Sequence, residues 1–345
     1  MKRKSFIKTA ALGLGAAFHM PFTGERYPAE EVFSAFKDDA DPDFMYDVLI
    51  VGGSYAGLSA ALGLGRCRRT VLVIDEGLPR NRTSPQVNNL FSRDGQDPAE
   101  IREIAGSQLK QYQKYLSRTG GIITGIEIKD DTFALSHADG RIFTARNVVL
   151  ASGVTDNLQA IDGLDELWGR GVYHCPYCHG WENRDKKTVV IGIGTTALSL
   201  ASTVSNWTDD ITYYSQGIEL ELPDEAIQTL TNNGITTHNE IVSKIEKSGT
   251  GVRITLKGLN EPIYFEACYA PGRITANSGL AESLGCELQP NGGIVVNEQY
   301  MSHTDGLYAI GDVCSRSNGQ VIHAAYSGTV VAAAINRAFL SQKFS

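Results

Sequence analysis

Twice in this chain a short apolar run breaks into a glycine-rich turn and then into a helix of small residues, and that pattern leaves few folds open. The first copy reads Asp47-Val48-Leu49-Ile50-Val51, then Gly52-Gly53-Ser54-Tyr55-Ala56-Gly57, then a helix through Arg66. The second reads Thr188-Val189-Val190-Ile191, then Gly192-Ile193-Gly194-Thr195-Thr196-Ala197, then a helix through Val204. A buried strand that feeds a helix through so tight a turn is a phosphate cradle. Gly52 permits the turn, Gly57 lets helix and strand pack closely, and the helix start turns backbone N–H groups and partial positive charge toward a pyrophosphate. Ser54 stands at the middle position where the fingerprint has glycine. This crowds the approach slightly and adds a hydroxyl that can reach phosphate. A second apolar run, Val71 to Ile74, ends in Asp75, where an acid holds the hydroxyl pair of a ribose.

Between and after the cradles the pattern changes period. Residues 98–118 carry Ile101, Ile104, Ala105, Leu109, Tyr112 and Leu116 at helical spacing, which predicts a core-facing helix. Residues 121–150 show three β-prone runs parted by turn residues, and 241–269 repeat that arrangement, so each cradle is followed by a small antiparallel meander. The first returns through Val148-Val149-Leu150 into Ala151-Ser152-Gly153, and the second ends at Ala270-Pro271-Gly272-Arg273, a turn suited to a return between domains. The expected class is α/β, with two Rossmann-like dinucleotide-binding domains.

Just ahead of the second cradle lies His174-Cys175-Pro176-Tyr177-Cys178-His179-Gly180-Trp181-Glu182. Two cysteines at this spacing can close a disulfide and reopen it as a dithiol, with the thiolate of lower pKa attacking. His174 and His179 bracket the pair with side chains that exchange protons near neutral pH. Half of a zinc site is the competing reading, but it needs a second ligand pair, and Cys67, Cys268, Cys286 and Cys314 are solitary. No metal is expected. A purely structural disulfide would close too small a loop to restrict the unfolded chain much.

The chain has 345 residues, 42% hydrophobic and 20% charged, enough for two domains with real cores. A net charge of −8 gives no attraction to phosphate backbones, which argues against nucleic acid as a partner. Residues 1–20 place Lys2, Arg3, Lys4 and Lys8 before a short apolar run from Ala10 to Phe18 that is too short to span a bilayer. The order Arg3-Lys4-Ser5-Phe6-Ile7-Lys8 resembles a twin-arginine export signal with lysine for the second arginine, so the leader predicts an exported, periplasmic protein; the alternative is a cytoplasmic one. Residues 21–45, with Pro21, Pro28, Pro42 and an acidic run, read as a linker.

Near the C-terminus, Leu307-Tyr308-Ala309-Ile310-Gly311-Asp312 is an apolar strand delivering an aspartate that can accept from the hydroxyls of a ribityl chain. Gln320-Val321-Ile322-His323 opens an Ala-rich helix whose dipole would favour the charge of a reduced flavin. The strand after the second cradle, Ile211 to Tyr214, runs into Ser215-Gln216-Gly217 with no arginine for a 2′-phosphate, which counts against NADPH.

Together these residues resemble the thioredoxin reductase family of FAD- and pyridine-nucleotide-linked disulfide reductases, over about residues 46–339. The resemblance implies an FAD domain in two pieces, 46–157 and 277–341. A nucleotide domain, 158–276, is inserted between them and carries the cysteine pair. It implies FAD, with NAD(P)H as the second nucleotide, and a homodimer acting on a thioredoxin-like protein or a small disulfide or dithiol. In the family the second cysteine meets the flavin and the first exchanges with substrate, which assigns Cys178 and Cys175 respectively, with His179 in the proton-transfer position. FAD contacts implied are Gly52, Gly53, Ser54, Ala56, Gly57, Asp75, Asn89, Gly311, Asp312, Gln320 and Val321; those for the second nucleotide are Gly192, Gly194 and Ala197. The inserted domain is expected to rotate on hinges near 152–158 and 273–277. Three departures stand out: His179 replaces the family's aspartate, the 2′-phosphate arginines are missing, and Gly319 stands where an arginine is expected before Gln320. The stretch Cys178-His179-Gly180 looks closer to fungal dithiol oxidases of the gliotoxin type.

Three functions follow in order. The first is a reductase passing two electrons from NAD(P)H through FAD to the Cys175–Cys178 disulfide and on to an external disulfide. The second is an oxidase passing electrons from a substrate dithiol through FAD to oxygen. The third is a flavin-binding redox sensor without turnover.

Overall fold

A computed structural model of the chain describes residues 20–21, 40–220, 222–317 and 319–345. Met20 and Pro21, where the expected leader meets the expected linker, form a two-residue strand antiparallel to Asn157–Leu158; the rest of the leader and most of the linker lie outside the described residues. Among the described residues the chain forms two compact units, one holding 20–21 and 157–273 and the other 40–156 with 274–345. Between residues 40 and 345 it therefore crosses from one unit to the other twice.

The first crossing is preceded by strands β1 (Met45–Val51), β2 (Val71–Asp75), β3 (Leu116–Gly120), β4 (Ile123–Lys129), β5 (Thr132–His137) and β6 (Ile142–Leu150), with helices α1 (Tyr55–Arg66) and α2 (Pro98–Leu109). They form one sheet in the order β3-β2-β1-β6-β5-β4. β1, β2, β3 and β6 run parallel, while β4 and β5 fold back as the antiparallel meander. Leu49, Ile50, Leu72, Ile74 and Leu150 are fully buried, as the continuous apolar runs of a sheet covered on both faces require. α2 begins on Asp97, whose carboxylate accepts the Ala99 N–H at 2.6 Å, with Pro98 at the first helical position. The expected helix over 98–118 is corrected here. It ends at Leu109, tightens into a 3-10 turn at Lys110–Tyr112, and Leu116 pairs with Val71 as the first residue of β3. Leu116 is buried either way, so its spacing could not separate the two outcomes.

β7 (Val154–Leu158) carries the chain across, and the unit of 157–273 is built on β8 (Val172–Tyr173), β9 (Thr188–Ile191), β10 (Ile211–Tyr214) and β11 (Ile235–His238). With them run α3 (Pro176–His179), α4 (Gly194–Val204) and α5 (Asp224–Asn232). The second meander is β12 (Val242–Ser248), β13 (Gly251–Leu256) and β14 (Ile263–Phe265), and β15 (Ala267–Tyr269) follows it. The parallel sheet has the order β11-β10-β9-β15-β8, and the meander forms its own three-stranded sheet. Both faces of the parallel sheet are filled, one by Tyr213 and Tyr269 with α4, the other by Leu164, Trp168 and the meander.

β16 (Arg273–Ala276) brings the chain back. β17 (Leu307–Ala309) then adds a parallel strand along Val148–Leu150 of β6, and α6 (Val321–Phe344) closes the fold. α6 packs on α1 through small residues. A Cβ on Gly328 would stand 2.4 Å from Ala56 O and 2.7 Å from Ala60 N, and one on Gly63 would stand 2.6 Å from Ala332 Cβ. Ser59 Oγ donates to Ala325 O at 2.6 Å across 266 residues of sequence. Among the described residues no helix is long and apolar enough to cross a membrane.

Candidate functional site

The first cradle is shaped by contacts that only glycine allows. Gly52 has φ of +104°, and a Cβ there would lie 2.3 Å from Ala151 O; one on Gly57 would lie 1.9 Å from Gly52 O. Ser54 caps α1 with no side-chain hydrogen bond to the first turn, so that turn's N–H groups are not taken by it. Gly53 N donates to Asp75 Oδ1 at 2.9 Å, which ties the acid expected to hold a ribose to the turn while leaving the carboxylate further acceptor capacity. This is a fitting seat for the diphosphate and ribose of FAD.

Residues from three other segments converge on the same unit. The Cβ of Ala56 is 3.0 Å from where a Gly311 Cβ would stand, and Gly311 N donates to Ser327 Oγ at 3.0 Å. Asp312 follows on a 3-10 turn, with Oδ1 accepting from Ser317 Oγ at 2.8 Å and Oδ2 from Arg80 Nη1 at 3.2 Å. Asn89, held at φ of +59° with its N–H on Asp94, donates from Nδ2 to Gln320 Oε1 at 3.4 Å, joining two expected flavin contacts 231 residues apart. Val321 opens α6 and packs on the small cluster of Val87, Leu90 and Ile101. Sequence reasoning missed Arg80 and Ser317, because no local pattern marks a side chain whose partner lies elsewhere in the chain.

In the other unit Cys175 and Cys178 form a disulfide, with Cα atoms 5.3 Å apart. Cys175 caps α3, Pro176 takes the first helical position, and Cys178 N donates to Cys175 Sγ at 3.1 Å. That amide favours negative charge on Cys175 once the bond opens. Gly180 has no room for a side chain, because a Cβ there would meet Pro176 O and the Trp207 ring at 2.5 Å each. Both bracketing histidines lie on aromatic rings: His174 stacks on Trp168 at 5.4 Å, and His179 lies over Tyr173 at 4.3 Å. Burial, reinforced by the neighbouring His174, lowers the His179 pKa to about 4, so its imidazole is neutral at pH 7. In that state it carries no extra proton to donate, and burial makes it a weaker base than a free imidazole.

This shift ties stability to pH. The unfolded chain protonates His179 near 6.5 and the folded one only near 4, so the unfolded state binds more protons between those values. Stability should be fully present above pH 6.5 and lost progressively as pH falls toward 4. Urea midpoints of the oxidised protein at pH 7 and pH 5 measure this, and in His179→Gln the acid-side loss should shrink. An unchanged pH dependence in the variant would refute the assignment.

The second cradle is built differently at its rim. Tyr213 Oη donates to Gly192 O at 3.0 Å, Gly192 faces Ala197 Cβ and Pro271, and Gly194 has φ of +74° with open space beside it. At the end of β10, where a ribose-binding side chain would sit, Gln216 is turned away. Its Oε1 accepts from Val242 N at 2.7 Å and its Nε2 donates to Val242 O at 3.3 Å. Ser215 is buried and donates to Ile218 O. Ile193 and Ile218 are exposed on this rim. Among the described residues no group of three or more His, Cys, Asp or Glu could hold a metal ion.

Comparison with known proteins agrees with these features. The model of the pyridine nucleotide-disulphide oxidoreductase family matches residues 46–328. Thioredoxin reductase tcpT of Claviceps purpurea is 33% identical over 302 residues, covering 82% of this chain and 91% of that protein. Among solved structures, an oxidoreductase from Agrobacterium tumefaciens is 33% identical with a TM-score of 0.79, covering 86% of this chain and 99% of its own. HlmI is 28% identical with a TM-score of 0.81, covering 87% of this chain and 94% of its own. A strand-turn-helix seat that fits FAD, a second cradle and a disulfide across the first turn of a short helix therefore belong to one known design: the chain is a member of the pyridine nucleotide-disulphide oxidoreductase family, a thioredoxin-reductase-like flavoenzyme.

Proposed function

We propose that the protein exchanges electrons between FAD and an external disulfide or dithiol through Cys175 and Cys178, with Cys175 facing the substrate. The observation that carries this reading is the Cys178 amide directed at Cys175 Sγ, beside a neutral His179. FAD, seated on Gly52, Gly53, Ser54, Ala56, Gly57 and Asp75 with Asn89, Gly311, Asp312, Gln320 and Val321, supplies the two-electron step. The protein residues do the rest. In the dithiol form the Cys175 thiolate, favoured by that amide, attacks one sulfur of the external disulfide; that S–S bond breaks and one substrate thiol leaves with a proton. The Cys178 thiolate then attacks Cys175 in the mixed disulfide, re-forming the Cys175–Cys178 bond and releasing the second thiol. His179, next to Cys178 in the chain, holds the proton-transfer position in this reading, where its lowered pKa makes it a weaker base than a free imidazole.

Within this reading the unit of 157–273 is the nucleotide domain, with Gly192, Gly194 and Ala197 as its contacts, and the two crossings are its hinges. The partner is a thioredoxin-like protein or a small disulfide, the chain works as a homodimer, and the leader exports it. Light scattering and sequencing of the mature N-terminus test the last two. A monomer, or a retained Met1 in a cytoplasmic fraction, would refute each in turn.

A second reading, the dithiol oxidase, is favoured by the second cradle. The strand after it runs into Ser215-Gln216-Gly217, with no arginine for a 2′-phosphate in that turn, and Gln216 is committed to Val242. One anaerobic experiment separates the two. NADH, NADPH and a dithiol are added in turn to the yellow protein, flavin bleaching is followed, and oxygen is then admitted. Bleaching by a nicotinamide at the rate of turnover supports the reductase. Bleaching by dithiols alone, with peroxide formed on aeration, supports the oxidase.

A further inference from the structure

Arg80 lies in the loop after β2, and its guanidinium is shared between two carboxylates. Nε and Nη2 fork onto both oxygens of Asp156 at 2.8 and 2.6 Å, while Nη1 reaches Asp312 Oδ2 at 3.2 Å. The Asp156 side chain is 7% exposed, and those of Arg80 and Asp312 are 20% and 22% exposed. A rigid plane of five donors can hold two acids at once, which a lysine cannot do. Asp312 is thereby fixed at both oxygens, one on Arg80 and one on Ser317. Beside this group stands Gly319 at φ of +71°, and a Cβ there would lie 4.0 Å from Arg80 Nη1. The cation at this corner thus comes from a residue 232 positions before Asp312, while Gly319, seven after it, brings no side chain.

We propose that Arg80 is a positioning residue for FAD: it holds the Asp312 carboxylate turned so that its remaining lone pairs meet the ribityl hydroxyls. The inference rests on the reading of Asp312 as the ribityl acceptor. The competing role is purely local, the neutralisation of buried Asp156. Removing Arg80 alone would strand that carboxylate and threaten folding, so the test removes Asp156 as well. Asp156→Leu keeps Arg80 on Asp312. Arg80→Met with Asp156→Leu takes the buried pair away together.

Apoprotein of each variant is titrated with FAD, following quenching of flavin fluorescence, and the flavin midpoint potential is measured on the loaded protein. Asp156→Leu should bind FAD as the parent chain does. The double variant should bind about tenfold more weakly or worse, from loss of a charge-assisted bond to Asp312. Its potential should also be lower, because a positive charge has left the site. Equal FAD affinity in the two variants, or an equal loss in both, overturns the inference. Failure of the parent apoprotein to bind FAD would instead sink the Asp312 reading beneath it. Asp312→Ala separates the two further: if it binds FAD like the parent, the ribityl assignment fails whatever Arg80 does.

Discussion

Cys175→Ser and Cys178→Ser should each abolish disulfide turnover, by about 10⁴-fold or more, because neither half of the exchange can proceed with one sulfur. The two variants should nonetheless look different. With Cys175 gone, the remaining thiol is Cys178, and if it meets the flavin the loaded protein should show a long-wavelength charge-transfer band. With Cys178 gone, the remaining Cys175 thiolate should react with an external activated disulfide and stay trapped as the mixed disulfide, since no second sulfur is there to release it. Visible spectra and intact mass measure both outcomes. The band in Cys178→Ser, or trapping in Cys175→Ser, would reverse the two roles.

Gly57→Ala should be among the most damaging small changes in the described residues. The added methyl carbon would stand 1.9 Å from Gly52 O and 3.0 Å from Gly52 C, and both are backbone atoms of the turn. The strand and helix must part for it to fit, which should cost about 3 kcal/mol or more and abolish FAD binding. Gly95→Ala is the control. It has φ of +77° but nothing within 4 Å of the new Cβ, so its cost should stay near 1 kcal/mol. Urea melts and FAD titration of the two variants give the comparison, and equal stabilities would refute the steric account.

The cradles could be read from the sequence because their chemistry is local. Gly52, Gly57 and Gly194 are needed where backbone meets backbone or φ turns positive, and such demands restrict residue type within a few positions. The meanders were legible for the same reason, through turn residues such as Asp130, Asp131 and Gly140, all at positive φ. What could not be read was long-range. Leu116 kept helical spacing with Leu109 and Tyr112, yet the edge of β2 captured it as a strand, and no local signal competes with that pairing. Arg80 bonds residues 76 and 232 positions away, and the neutral state of His179 depends on burial that only the folded chain creates.

The seam between α1 and α6 sets an order of events during synthesis. Ala56, Ala60 and Gly63 emerge early, but their counterparts at Ala325, Gly328 and Ala332 leave the ribosome only after the whole of 157–273. The inserted unit has all its sequence available first and can mature while the surrounding one waits, its apolar helix face uncovered, for α6. A nascent chain stalled before Val321 should therefore carry a protease-resistant inner portion inside a digestible outer one, and the outer portion is where chaperones would be needed.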